Sequence, residues 1–584
     1  MKRKLMLLST SIACPILISS SCVRNENDDK KTNNPEINRQ KNKIENLITT
    51  NLKYNKETSN IYSNQATKEN INIHIADEPT LVCDTFNVEI LEPQKIKITF
   101  DIKDTNTNIK SDIHEIIMIN FKVPVTFEND HNTNKNKNIV EVANNADLNL
   151  FYNLYGQSIY NNFIRMSMLV KGDVLFGIND NGLFVSNQKL LNQEKWLDYQ
   201  KNYKINPGLN SRMVSLPPEA RGKDDDKFTA IPYWKKVIIE NPDKKINIWC
   251  RTGISQDQYF ELSKYKNVII NFVEENPDRF HYWKNSVDKM IEEHQQKTNK
   301  SIKDTKFNKK SELPKSYFNC LLYANVVNKF NYWWSVDESY EYFKNNGFKN
   351  HLLFSGVDEN GKAKNYDLTN EIFNVRDKNK KRLFSKWWPE ISGYNWELQR
   401  DIVDEVMNNS KLKEKVLILG DLTPKQWDLV ITAFEKYKDK YEFFYKGHPG
   451  HIEVPKYIDT DINVAGNKRY YNYLENKYKT FTMPKGRKIT ILNPQIISEE
   501  LTTYHVKDEV DENGKVKKGL KFEKFVPVRI FSNALYGLNN GYNNYKEDIL
   551  LAFDDQDNFA DFSVNDTPLR QAFLEWFEKN LKQQ

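Results

Sequence analysis

The chain has 584 residues, 39% of them hydrophobic and 12% aromatic, enough apolar material for about three or four packed domains. Its 85 Lys and Arg stand against 79 Asp and Glu, a net charge of +6, which gives no electrostatic basis for nucleic-acid binding. The five cysteines are Cys14, Cys22, Cys83, Cys250 and Cys320. They are too few and too widely spaced to suggest a disulfide framework or a metal site.

Lys2, Arg3 and Lys4 precede an apolar stretch from Leu5 to Ile18, and Ser19, Ser20 and Ser21 lead directly to Cys22. This order of positive charge, apolar core and small residues reads as a secretory signal. Ser9, Thr10, Ser11 and Pro15 interrupt the apolar stretch, which is too short for a membrane span. A Cys directly after the small residues resembles a bacterial lipobox, with Ser19 where that pattern prefers Leu. The resemblance implies a lipoprotein signal peptide over 1–22 and a lipid on Cys22. It also implies a chain exported and anchored at the extracellular face of the cell membrane. Residues 23–79 are rich in Asn, Lys, Asp, Glu and Thr and are expected to form a disordered tether.

From about residue 80 the pattern has period two. Phe86, Val88 and Ile90 alternate, Glu92-Pro93-Gln94-Lys95 turns the chain, and Ile96, Ile98, Phe100 and Ile102 alternate again, as a hairpin requires. Ile116–Val125 and Val174–Ile178 read as further strands, the latter turning through Asn179-Asp180-Asn181-Gly182. These predict a β-sandwich, immunoglobulin-like, over 80–195, followed by a linker over 196–234.

Beyond it, strands and helices alternate. Ile246–Cys250, Val268–Val273, Asn319–Val327 and Leu352–Val357 read as strands, and Ser335 with Glu338 as a capping box. This predicts a Rossmann-like domain over 235–388 with a parallel sheet. The pattern restarts over 389–584. Val416–Leu419, Phe443–Tyr445, Ile489–Leu492, Val526–Phe531 and Ile549–Phe553 read as strands, and Trp427, Ile431 and Phe434 mark an amphipathic helix. The fold class is therefore α/β, two Rossmann-like domains behind a β module. Ligands of such sheets bind at the carboxyl ends of the strands. Neither Gly-x-Gly-x-x-Gly nor a Walker loop occurs, which speaks against dinucleotide and NTPase chemistry.

The sharpest motif is Phe443-Phe444-Tyr445-Lys446-Gly447-His448-Pro449. An apolar strand ending at Lys446 puts Gly447 and His448 where ligands bind. Gly447 allows close backbone approach, Pro449 stiffens the turn, and His448 can hydrogen-bond or protonate a phosphate. Lys446 itself reads as a surface charge, and His451 as incidental.

This stretch resembles bacterial sialyltransferases of glycosyltransferase family 80, which have the two-domain GT-B fold, and the likeness extends over roughly residues 235–584. It implies that His448 meets the phosphate of CMP-sialic acid. Asn493-Pro494-Gln495-Ile496-Ile497-Ser498-Glu499-Glu500 is similar to the family's Ile-Ser-x-Glu segment, which implies that Glu500 grips the ribose hydroxyls. Phe531-Ser532-Asn533-Ala534-Leu535-Tyr536 is similar to the segment whose serine pair binds phosphate at a helix start. Asn533 and Ala534 stand where the serines stand in the family, with Ser532 adjacent. Trp427 is the counterpart of an acceptor-shaping Trp, although its helical spacing equally suits a core residue. Asp358-Glu359-Asn360-Gly361 is similar to the loop that supplies the catalytic base, and aligning on the glycine sets Asn360 at the base position. Asp358 or Glu359 would then serve, while the same four residues also make a good β-turn.

The resemblance implies transfer of sialic acid from CMP-sialic acid to a galactose-terminated glycan with inversion, without a metal or cofactor. A degenerate surface lipoprotein acting as an adhesin or glycan binder is the second reading. A solute-binding lipoprotein is a third, against which the Lys-Gly-His-Pro segment and the β module speak.

Overall fold

The computed structural model describes residues 34–153, 157–178, 212–215, 231–251, 261–274, 280–301 and 328–366 except 336, 346 and 347. Of the remainder it describes 414–419, 439–446, 479–483, 487–491, 509–510, 513–517, 522–527, 551–553, 559–561 and the single positions 368, 371, 430, 432, 436 and 437. The chain divides into two compact units, 1–126 with 234–244, and 127–233 with 245–584.

The first unit is one antiparallel sheet with a helix, not a sandwich. Strands β1 (Leu52–Lys53), β2 (His74–Ile75), β3 (Leu81–Glu92), β4 (Lys95–Asp104) and β5 (His114–Ile119) lie in sequence order. The β3–β4 hairpin turns where the sequence predicts, with Val88 opposite Ile98 and Ile90 opposite Ile96. Ile96, Ile98, Phe100 and Ile102 are buried on one face, and the helix Pro35–Asn51 adds Ile44 and Ile48 to the same core. The opposite face is wet and charged, as one-sided antiparallel sheets permit: Lys97 pairs with Glu89 at 2.7 Å and Glu115 at 3.9 Å. A β-bulge at Asp84 and Thr85 is tied down by Asp101, whose carboxylate accepts the Thr85 N–H and O–H, each at 2.9 Å.

Two expectations are corrected here. The sequence predicts a disordered tether over 23–79, but residues 34–51 hold an Asn34-capped helix and 71–75 supply buried Ile71, Ile73 and Ile75. Average composition hid a few isoleucines at the right helical and strand spacings. The sequence predicts a sandwich over 80–195, but Val174–Ile178 belongs to a different, parallel sheet in the second unit.

That sheet contains β6 (Leu148–Asn153), β7 (Asp173–Ile178), β8 (Arg212–Ser215), β9 (Ile246–Arg251), β10 (Val268–Val273), β11 (Phe330–Trp334) and β12 (His351–Leu353). Its order is β12-β11-β10-β9-β6-β7-β8, with every pairing parallel. Numbered within the sheet, this is 3-2-1-4-5-6-7, the doubly wound order with its switch between β6 and β9. The domain thus starts near Leu148 rather than at 235, and the expected linker 196–234 contains β8.

Strands buried on both faces read as apolar runs, and β10 and β11 are buried at every position. The exceptions are asparagines. Asn149, Asn247, Asn271 and Asn331 are fully buried on four adjacent strands. Each passes an amide hydrogen to the next: Asn331 to Asn271 (2.9 Å), Asn271 to Asn247 (3.2 Å) and Asn247 to Asn149 (3.5 Å). Asn129 feeds Asn331 at 2.8 Å, and Asn149 ends the row on the Ala143 carbonyl at 3.2 Å. The Trp249 and Trp333 indoles donate to Asn149 and Asn271 at 2.8 and 3.0 Å. The row satisfies groups that would otherwise be buried at a cost.

The later residues form a second sheet from β13 (Glu414–Leu419), β14 (Tyr441–Lys446), β15 (Lys479–Met483) and β16 (Arg487–Ile491). The hairpin β17 (Glu509–Val510) and β18 (Val516–Lys517) intervenes before β19 (Lys524–Pro527) joins. The order is β15-β16-β14-β13-β19, parallel except for β15. Its parallel strands again run 3-2-1-4. β20 (Leu551–Phe553) and β21 (Phe559–Asp561) pair with each other. Among the described residues, no helix is long and apolar enough to cross a membrane.

Candidate active site

In both sheets the ligand-binding edge is set by where the parallel strands stop. β14 is buried at five of its six positions and ends at Lys446. Lys446 is only 3% exposed, which corrects its reading as a surface charge. The strand is flanked on both sides, Tyr445 opposite Ile418 and Ile491, and Lys446 opposite Leu419. Lysine is rarely buried without a function or a partner. Here it directly precedes Gly447-His448-Pro449 in the chain. Gly447, His448, Pro449, Glu500, Ser532, Asn533, Trp427 and Cys22 lie outside the described residues.

The predicted base loop is described in full. Val357 bridges Ala363, the Asp358 N–H donates to the Lys362 carbonyl at 2.7 Å, and Gly361 has φ +77°. This is a three-residue hairpin loop closing through a left-handed glycine. The Asp358 carboxylate caps it: Oδ1 accepts the N–H groups of Asn360 and Lys362, each at 2.9 Å. Glu359 is exposed. The hairpin is clamped at Gly356, where φ is +66° and an added Cβ would lie 2.6 Å from the Lys137 carbonyl oxygen. The turn lies just beyond β12, which is the edge strand.

A residue that the sequence reading passed over stands at a more central place. Glu274 follows the last residue of β10 and is 2% exposed. Its N–H donates to the Trp333 carbonyl at 3.1 Å. Its Oε2 accepts both the Ser335 N–H at 3.1 Å and the Ser335 hydroxyl at 2.8 Å. Ser335 thus donates both its N–H and its hydroxyl to Glu274, two residues ahead of the helix Asp337–Asn345. The signal available in the sequence was an acidic pair, Glu274-Glu275, directly after a wholly apolar strand.

His351 is excluded as a ligand-facing group. It is buried among Tyr332, Trp334 and Phe343, with ring centroids 4.8 to 6.0 Å apart. Its Nδ1 accepts the Trp334 indole N–H at 3.0 Å. An indole nitrogen only donates, so Nδ1 carries no proton.

No family model matches this chain, and no curated protein matches it. Among solved structures it is similar to an alpha/beta-galactoside alpha-2,3-sialyltransferase from the luminous marine bacterium Photobacterium phosphoreum. That likeness has 13% identity and a TM-score of 0.39, covering 74% of this chain and 97% of that one.

Proposed function

We propose that this chain is a sialyltransferase-like glycosyltransferase that moves sialic acid from CMP-sialic acid to a galactose-terminated glycan with inversion. The observation that carries the reading is β14. It is an apolar strand of a parallel sheet that ends in a buried Lys446 and runs directly into Gly447-His448-Pro449. Two sheets with the same 3-2-1-4 start suit a GT-B enzyme. In the reaction, the acceptor hydroxyl oxygen bonds to the anomeric carbon of sialic acid as its proton passes to a carboxylate. The bond to the CMP phosphate breaks, and CMP leaves with the electron pair. His448 would hydrogen-bond the departing phosphate, with Lys446 adding positive charge behind it. Ser532 and Asn533 would offer a helix start, Glu500 would hold the ribose, and Trp427 would line the acceptor side. Cys22 would carry the lipid that holds the protein at the extracellular face of the cell membrane.

The second reading, a catalytically degenerate lipoprotein that binds glycans as an adhesin, is favoured by one observation. The Asp358 carboxylate is already used to close its own turn.

CMP release from CMP-sialic acid by the soluble 23–584 chain, with and without lactose, separates the two. Lactose-stimulated release that is lost in His448→Ala supports transfer. No release together with no calorimetric binding of CMP would sink it and leave the glycan binder.

A further inference from the structure

We infer that Glu274, and not Asp358 or Glu359, is the carboxylate that takes the proton of the acceptor hydroxyl; the inference rests on the transfer reading above. Sheet order supplies the first argument. Ligands of a doubly wound sheet gather outside the carboxyl ends of the strands at the switch point, here between β6 and β9. β10 is the immediate neighbour of β9, whereas β12 is separated from β9 by both β11 and β10. Glu274 leaves the carboxyl end of β10 itself, and Asp358 belongs to a hairpin beyond the far edge strand.

Preorganisation supplies the second. Two donors from Ser335, at the carboxyl end of β11, hold one Glu274 oxygen in place. A proton acceptor has to be fixed to within a fraction of an ångström to be effective. Glu359, by contrast, is exposed on its turn. Burial supplies the third. Glu274 is 2% exposed, and keeping a hydrogen-bonded carboxylate buried costs free energy that an apolar residue of similar size would not. Carboxylates kept in such settings concentrate at functional sites.

The test uses the 23–584 chain carrying Glu274→Gln, Ser335→Ala, Asp358→Asn or Glu359→Gln, with initial rates of lactose-dependent CMP release followed across pH. A glutamine carbonyl can accept both Ser335 donors, so the local structure is kept while the basic oxygen is lost. Glu274→Gln is expected to lower kcat by about a hundredfold or more, with unchanged CMP affinity and melting temperature. The acid limb of the pH profile should also disappear. Ser335→Ala should lower the rate less than tenfold and keep that limb. Asp358→Asn and Glu359→Gln should stay within about threefold of the parent. If Glu274→Gln melts lower, Glu274→Asp, which restores a carboxylate, must exceed it in rate per folded molecule. Retained rate and acid limb in Glu274→Gln, or the hundredfold loss in Asp358→Asn instead, would overturn the assignment while leaving transfer intact. A parent chain that releases no CMP would overturn transfer itself, and the role of Glu274 with it.

Discussion

Asn271→Ala should be among the most damaging single changes in the first parallel sheet. The side chain is fully buried and makes three hydrogen bonds. Its oxygen accepts from Asn331 at 2.9 Å and from the Trp333 indole at 3.0 Å, and its amide donates to Asn247 at 3.2 Å. Alanine leaves two donors buried without their acceptor, at about 1–3 kcal/mol each, so the expected loss is about 2–6 kcal/mol. Guanidinium unfolding followed by tryptophan fluorescence reads it, since Trp249, Trp333 and Trp334 lie in this sheet. A double-mutant cycle identifies the cause. In a Trp333→Phe background the indole N–H is gone, so Asn271→Ala should cost about 1–3 kcal/mol less than it does alone. A loss below about 1 kcal/mol, or strictly additive effects, would show that the asparagine row does not hold the strands as described.

His131 predicts a pH dependence. Burial, reinforced by Lys135, pushes its imidazole down to about 4 from an ordinary 6.5. Between those values the unfolded chain binds the extra proton, so stability should fall as pH drops from 6.5 to 4, by roughly 2–3 kcal/mol, and be fully present above 6.5. His131→Gln should flatten unfolding free energy across that window, and an unchanged slope would refute the assignment. The full-length chain should partition into the detergent phase and Cys22→Ser into the aqueous phase. Equal partitioning of the two would rule out a lipid on Cys22.

Much of the second unit was legible because strands buried on both faces must be apolar along their length. Ile246–Cys250, Val268–Val273, Val416–Leu419 and Phe443–Tyr445 could be placed almost to the residue by that rule. The β3–β4 hairpin was equally plain from its alternation and its Glu92–Lys95 turn. Strand order was not legible, because hydrogen-bond partners in a parallel sheet are set by distant segments. Nothing local in Leu148–Asn153 says that it lies between β7 and β9. The helix Pro35–Asn51 was hidden because its average composition is polar, and only the sheet beneath it gives Ile44 and Ile48 a place to be buried. Composition and motif could select the family resemblance and point to His448. Which carboxylate stands at the central edge of the first sheet, and whether Lys446 faces water or the interior, depended on packing from strands far away in the chain, and tertiary structure alone decided both.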